Sequence, residues 1–205
     1  MKNYESLHDR ELYRLTGEGD EAAFSELVRR YETFVFRIAF DVLRAEDDAA
    51  DAAQDAFLKL WRGASGWRGE CEVKTWIYRI AKTSALDRAR SRASRTTVPL
   101  EDVTDTADAS PTPDEELERR ERVRAVREAI AELPEAYREV IVMRELHGMS
   151  YREIAEAAGI DMGTVKSRIS RARAELGEIL KEKLGMTEQN RQRRRLKDGW
   201  ARGKE

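Results

Sequence analysis

Apolar residues in this chain recur at steps of three and four, and almost nowhere at every second position. In "DEAAFSELVRRYETFVFRIAFDVL" the apolar set is Phe24, Leu27, Val28, Tyr31, Val35, Ile38 and Val42, which is the stripe of an amphipathic helix. Strand-like alternation is nearly absent and glycine and proline are few, so the expected fold is all-α. Asp20 is placed to cap the first of these helices. A second helix runs through "AEDDAADAAQDAFLKLWRG", with Phe57, Leu60 and Trp61 facing inward and Gly63 at its end. After the turn-rich "ASGWRGE" comes a third, "VKTWIYRIAKTSALDRARSRA".

At about Thr96 the composition changes. "TTVPLEDVTDTADASPTPDEELE" holds eight carboxylates, no Lys or Arg, and three of the chain's four prolines. Such a segment repels itself and buries no core, so it reads as an extended linker. Helix returns at about Glu115 and continues to about Ala131. Three more helices follow, with Pro134 in the first turn of one, Gly148 closing it and Ser150 capping the next. The expected organisation is therefore two small helical domains, residues 1–95 and 115–185, joined by a flexible acidic linker at 96–114. A basic tail at 186–205, with Arg191, Arg193, Arg194 and Arg195, is expected to be disordered.

Several function classes are excluded early. Net charge is −2 over 205 residues, so any nucleic-acid binding comes from local patches. Cys71 is the one cysteine, which rules out an intrachain disulfide and suits a reducing compartment. With His8, His147 and Cys71 as the only soft ligands, neither a metal site nor a cofactor is expected. No apolar run approaches a membrane span, and "MKNYESLHDRELYRL" lacks the apolar centre of a signal peptide. The expectation is a cytoplasmic protein with no membrane insertion.

Two stretches carry functional chemistry. "SYREIAEAAGIDMGTVKSRISRARAEL" has helix–turn–helix grammar: Ala155 allows a close helix crossing, and Gly159 suits a turn of positive φ. On the second helix Val165, Ile169, Ala172 and Leu176 form one stripe, and Ser167, Ser170, Arg171 and Ala174 lie opposite. Lys166 and Arg173 flank one side and Arg168 the other. A slim face with hydrogen-bonding side chains and cationic edges fits a DNA major groove. Between Arg62 and Arg95, nine cations stand against Glu70, Glu72 and Asp87, beside Trp67, Trp76 and Tyr78. Charge for a backbone and rings for unstacked bases are the ingredients of single-strand binding. Trp76, near the Ile77–Ile80 stripe, suits core packing better than base stacking, whereas Trp67 lies in a more open loop. Asp87 is expected partly buried and paired with Arg90 or another arginine. Asp47, Asp48, Asp51 and Asp55 form a negative ridge suited to a basic partner.

"DAADAAQDAFLKLW" followed by "WRGECEVKTWIYRIAKTSALDRARSR" resembles the second conserved region of bacterial RNA polymerase sigma factors. "LPEAYREVIVMRELHGMSYREIAEAAGIDMGTVKSRISRARAEL" resembles their fourth region. Both regions in order, with only a short linker between them, are the layout of the extracytoplasmic-function (ECF) group. The resemblance implies roles residue by residue. Asp47, Asp48, Asp51, Gln54, Asp55 and Phe57 would grip the β′ clamp helices of core RNA polymerase, and the β flap would be a second contact. Trp67, Arg68, Lys74, Trp76, Arg79, Lys82, Thr83 and Arg90 would open and read the −10 promoter element. Thr83 departs from the family, which often has Asn there. One hydroxyl replaces an amide donor and a carbonyl, so a specific strand contact does not carry over. Thr164, Lys166, Ser167, Ser170 and Arg171 would read the −35 element, while Arg168 and Arg173 fit phosphate contacts better. An anti-sigma factor is a further partner the resemblance admits.

Readings from other classes are weaker. A metal-dependent nuclease would need converging carboxylates, but the ridge acids spread along one exposed face without a Lys or His base; no enzymatic activity is expected. A polymerase-independent helix–turn–helix repressor would need a dimer interface or ligand pocket, and the sequence offers no clear one.

Overall fold

The computed structural model describes residues 3–93 and 113–201, with side chains over 3–93 and 118–185. Among the described residues there are eight α-helices: α1 (Asp9–Gly17), α2 (Glu21–Leu43), α3 (Glu46–Gly63), α4 (Val73–Ala93), α5 (Pro113–Glu132), α6 (Glu135–Ile141), α7 (Tyr151–Ala158) and α8 (Met162–Ala201). There is no strand among the described residues, and none of their helices is long and apolar enough to cross a membrane. The described residues form two compact units. One joins α1–α4 with His147–Met162; the other holds α5, α6 and most of α8. The linker expected at 96–114 lies outside the described residues as far as 112.

In the first unit α2 is the spine. Its start is fixed by Asp20, whose carboxylate accepts from Ala23 N at 3.0 Å, satisfying one of the free N–H groups of the first turn. Its end is Arg44 at φ 57°, a left-handed residue that closes the helix. Leu27, Tyr31, Val35 and Ile38 line its buried side. The helices meet largely through alanine. Ala39 and Leu43 of α2, Ala49 and Ala52 of α3 and Ala85 of α4 form one buried cluster, and Ala53 and Ala56 are buried further along α3. Methyl-sized side chains let backbones approach closely, at the cost of tolerating no enlargement. Within α2, Arg29 and Arg30 both donate to the Glu26 carboxylate at 2.7–2.8 Å, and hold its pKa down at about 2.

Helix α1 escapes the sequence reading, although Leu12 and Leu15 carry helical spacing. It contributes the buried Leu12, Tyr13 and Leu15. Its last residue, Gly17, lies against the 3₁₀ turn Ala64–Gly66: a Cβ there would sit 2.8 Å from the Ala64 carbonyl oxygen.

In the second unit α5 buries Ala125 and Ala129, followed by Leu133. Pro134 stands at the N-cap of α6 rather than inside its first turn, one residue off the expectation, as helix ends commonly are. A π-helical turn, Val142–Leu146, continues α6 and buries Met143. Lys183 of α8 pairs with Glu132 at 2.7 Å and Glu128 at 3.3 Å on α5. Helix α8 does not stop at 185. It continues to Ala201, through residues where disorder is expected from the sequence. Residues 186–201 hold four Arg and two Gln and no proline. Extending an existing helix costs far less than nucleating one.

Helix α7 opens with a complete capping box, in which Glu153 N donates to Ser150 Oγ and Ser150 N donates to the Glu153 carboxylate. It closes at Gly159, φ 67°. Helix, left-handed glycine and helix thus follow one another as the sequence indicates.

Replacing Gly17 with Ala forces the backbone at Ala64 to move. We expect a loss of about 1–3 kcal/mol, read as a lower urea midpoint with an unchanged slope.

Candidate nucleic-acid interface

Tyr13 organises the end of the bundle where α3 gives way to α4. Its hydroxyl donates to the Leu60 carbonyl and accepts from Trp76 Nε1, both at 2.9 Å. The Trp67 ring packs edge-on to it at 5.2 Å. Trp67 is thus held against a buried tyrosine rather than standing open in its loop, as the loop composition suggested. Its Nε1–H is buried and finds no acceptor among the described residues. Trp76 is half-buried, its indole nitrogen tied inward. The two indoles wall a cavity of about 620 Å³, also lined by Gly63, Gly66, Arg68, Glu70, Cys71, Arg79 and Glu156. Burial raises the Cys71 thiol pKa above its usual value. A flat aromatic wall and flanking guanidinium groups suit an unstacked base and its phosphate.

Most of the α4 cations expected to meet a strand already have partners. Lys74 Nζ donates to the Gly148 carbonyl at 3.1 Å, pairs with Glu153 at 3.6 Å and lies over the Phe34 ring. Arg79 donates to the Glu156 carbonyl. Lys82 lies over the Tyr78 ring, 5.9 Å from its centroid. The Thr83 hydroxyl donates to the Arg79 carbonyl at 2.8 Å, satisfying it within its own helix. Arg68 is exposed. Asp87 corrects the expectation of partial burial: its side chain is 52% exposed and pairs with Lys59 as well as Arg90. The inward stripe passes instead through Ala81, Ser84 and Ala85.

His147 was not singled out as a functional candidate. It is 7% exposed, between the rings of Phe34 and Tyr78 at 6.3 and 5.9 Å, with Asp41 of α2 3.6 Å from Nε2. Burial, then Lys82 and Arg37, push its pKa down to about 4. It is therefore neutral at pH 7.

The acidic ridge of α3 divides in two. Asp47, Gln54 and Asp55 are exposed, and Asp47 and Asp55 make no ion pair among the described residues. Asp48 and Asp51 are tied to α4: Arg88 donates to both, and Arg92 donates to Asp48 at 2.7 Å. The sequence reading treated them as free. Spacing shows that acids share a helix face but not that a neighbouring helix brings arginines to it. Phe57 is half-buried, edge-on to Phe24. The ridge also carries an apolar residue overlooked in the sequence, Leu58, 51% exposed; its signal was a leucine three and four positions after Asp55 and Gln54.

On α8 the helical wheel matches the burial. Val165, Ile169 and Ala172 are buried, and Lys166, Ser167, Ser170 and Arg171 are exposed. Thr164 and Arg168 are intermediate. Ser167 Oγ donates to the Thr164 carbonyl. Arg173, expected at a phosphate, is held by Glu145 at 2.6 Å. Lys166 and Arg171 make no ion pair among the described residues. No cluster of three or more His, Cys, Asp or Glu that could hold a metal ion occurs among the described residues.

Residues 27–95 match Sigma-70 region 2, and residues 123–176 match Sigma-70, region 4. The chain is 37% identical over 172 residues to the ECF RNA polymerase sigma factor SigM of Mycobacterium tuberculosis, covering 84% of each. It belongs to the ECF sigma factors. The ECF RNA polymerase sigma-E factor of Haemophilus influenzae is 36% identical over 180 residues, 82% of this chain and 93% of that one. Among solved structures, CnrH in complex with the cytosolic domain of CnrY superposes with a TM-score of 0.62 at 27% identity, over 85% of this chain and 97% of that one. A sigma factor of this group is a transcription factor, and the stand-alone repressor reading is not favoured.

The depressed pKa of His147 has a definite sign. Between pH 6.5 and 4 the unfolded chain binds a proton that the folded unit refuses, so stability is full above 6.5 and falls as the pH drops. Going from pH 7 to 5 should remove about 1–2 kcal/mol. His147→Ala should flatten that part of the thermal-unfolding profile. The Glu26 contribution is lost at lower pH, as the pH falls from the ordinary carboxylate value toward 2.

Proposed function

We propose that this sigma factor binds core RNA polymerase through the free part of the α3 ridge, reads the −10 element with α4 and the Trp67 cavity, and reads the −35 element with α8. Residues 1–95 and 115–185 serve these two readings, with 96–114 as connector and 186–205 as a basic extension. Asp47, Gln54, Asp55 and the exposed Leu58 form the polymerase-facing patch, toward the β′ clamp helices, and the β flap is a second contact. The setting is the cytoplasm, where polymerase and promoter are. An anti-sigma factor is the class of regulator this reading admits, since CnrH was solved with a protein partner.

The observation that carries the reading is the outward face of α8, where Lys166, Ser170 and Arg171 project from a helix anchored by Val165, Ile169 and Ala172. Small polar side chains admit the helix to the major groove, and Arg can contact guanine in a bidentate fashion. In the −10 unit, the two indoles that wall the cavity and the exposed Arg68 support capture of a strand base. The direct test is run-off transcription with core polymerase and mapped start sites; absence of promoter-specific transcripts would overturn the proposal.

Two substitutions separate the surfaces. Asp55→Lys should weaken assembly with core polymerase about tenfold without changing the circular dichroism, because Asp55 supports no ion pair. Arg171→Ala should cost about 1–3 kcal/mol at one or two −35 positions, read on a promoter library; a uniform loss at every position would make Arg171 a phosphate contact.

A further inference from the structure

Helix α1 lies outside the region 2 match, which begins at residue 27, yet one face of it holds the loop between α3 and α4. Arg10, Tyr13 and Gly17 stand at i, i+3 and i+7, so they share that face. Gly17 packs on the turn Ala64–Gly66 with no room for a methyl group. Tyr13 seats the Trp67 ring, and its hydroxyl gives its one proton to the Leu60 carbonyl while accepting from Trp76 Nε1. Arg10 donates to both carboxylate oxygens of Glu72, at 3.2 and 3.3 Å, and to the Gly69 carbonyl at 3.4 Å. Gly69, at φ 74°, is so enclosed that a Cβ there would lie 3.7 Å from the Arg10 guanidinium and 4.0 Å from the Trp67 ring. The start of α1 is fixed in turn. Arg30 of α2 donates to the Asp9 carboxylate at 2.8 Å and to the carbonyls of Leu7, Glu5 and Tyr4 at 2.9, 2.8 and 3.2 Å. The Tyr31 hydroxyl donates to the same Asp9. All of these residues belong to the first unit.

We propose that Tyr13 is a positioning residue for base selectivity at the −10 element, with Arg10 as its second support: α1 sets the spacing of the Trp67 and Trp76 rings and so decides which base the cavity between them prefers. The proposal rests on assigning that cavity to a strand base. Stacking on an aromatic ring is tolerant, because every base has a π-face. Discrimination is not. It depends on hydrogen bonds to the base edge, which weaken steeply with distance and angle, and so needs walls held in place by the groups behind them. A base lying against an indole presents its edge at a depth that the indole sets. Tyr13 holds both rings from a position that is 1% exposed, where no base reaches it. Removing its hydroxyl leaves both rings in the cavity but frees Trp76 Nε1 and the Leu60 carbonyl, so selectivity falls before affinity does. The sequence of the loop is then not sufficient to specify the base; the same loop on a different α1 discriminates less.

The test uses holoenzyme reconstituted from the full chain and core polymerase, with a promoter library carrying every base at each −10 and −35 position, read by sequencing the transcripts. Tyr13→Phe should lower the preference for the favoured base at one −10 position about fivefold, and leave the −35 preferences and the affinity for polymerase unchanged. Arg10→Gln, at an exposed side chain, should weaken the preference at the same position; it serves as the test where circular dichroism shows that Tyr13→Phe unfolds. Trp67→Ala should flatten that position. An even loss at every position, the mark of a merely structural role, overturns the proposal. So does an unchanged preference in both α1 variants while Trp67→Ala flattens it. A Trp67→Ala holoenzyme that keeps every −10 preference overturns instead the assignment of the cavity to a base, and the positioning role with it.

Discussion

The first unit depends on a single hydroxyl group. Tyr13 is 1% exposed, and a phenol that deep needs its polar atom satisfied. It is satisfied twice, by the Leu60 carbonyl near the end of α3 and by the Trp76 indole on α4. Those two bonds fix the spacing between the helices, and the loop between them has to span it. The tyrosine ring then gives Trp67 its seat. The cavity is a consequence of this arrangement: two indoles anchored to one phenol leave a gap that neither fills. The group that supports the two indoles of the cavity therefore lies on α1, the element least apparent in the sequence.

Charge is used economically around this framework. Arginines of α4 satisfy acids of α3, acids of α7 satisfy cations of α4, and Glu145 satisfies Arg173. Net charge near zero does not mean a featureless surface; it means that patches of opposite sign are matched inside the chain. Partly exposed pairs of this kind contribute little to stability, but they decide which groups remain available to other molecules. Lys166, Arg171 and Asp55 stand out because nothing in the described chain answers them.

What could be read from the sequence followed from local rules. Asp20, Ser150 and Gly159 act through neighbouring backbone, so residue type and position were enough. The α8 stripe was legible because periodicity alone decides which side is apolar. The failures share a different cause. Asp48 and Asp51 are answered by arginines some forty residues away, Trp67 by a tyrosine in α1, and Lys74 by residues more than seventy positions later. Partners at such separations leave no trace in spacing. The alanine seams of α3 were overlooked because small apolar residues carry little weight in a hydrophobic pattern, though they permit the closest packing. The extension of α8 was missed because charge density was taken as a sign of disorder, while the same residues have high helix propensity.

The link from Arg88 to Asp48 and Asp51 has a consequence for stoichiometry. A basic protein surface that takes Asp51 for itself must displace the guanidinium already there. No charge is created, but one is relocated: the ridge trades an internal counterion for an external one, and Arg88 of α4 keeps only its bond to Asp48. Covering one surface thus raises the positive potential of the other without any change in backbone. Thermodynamic reciprocity requires the converse as well. A phosphate that recruits Arg88 leaves Asp51 more attractive to a cationic partner, so the two ligands would each tighten the other through a single exchanged side chain.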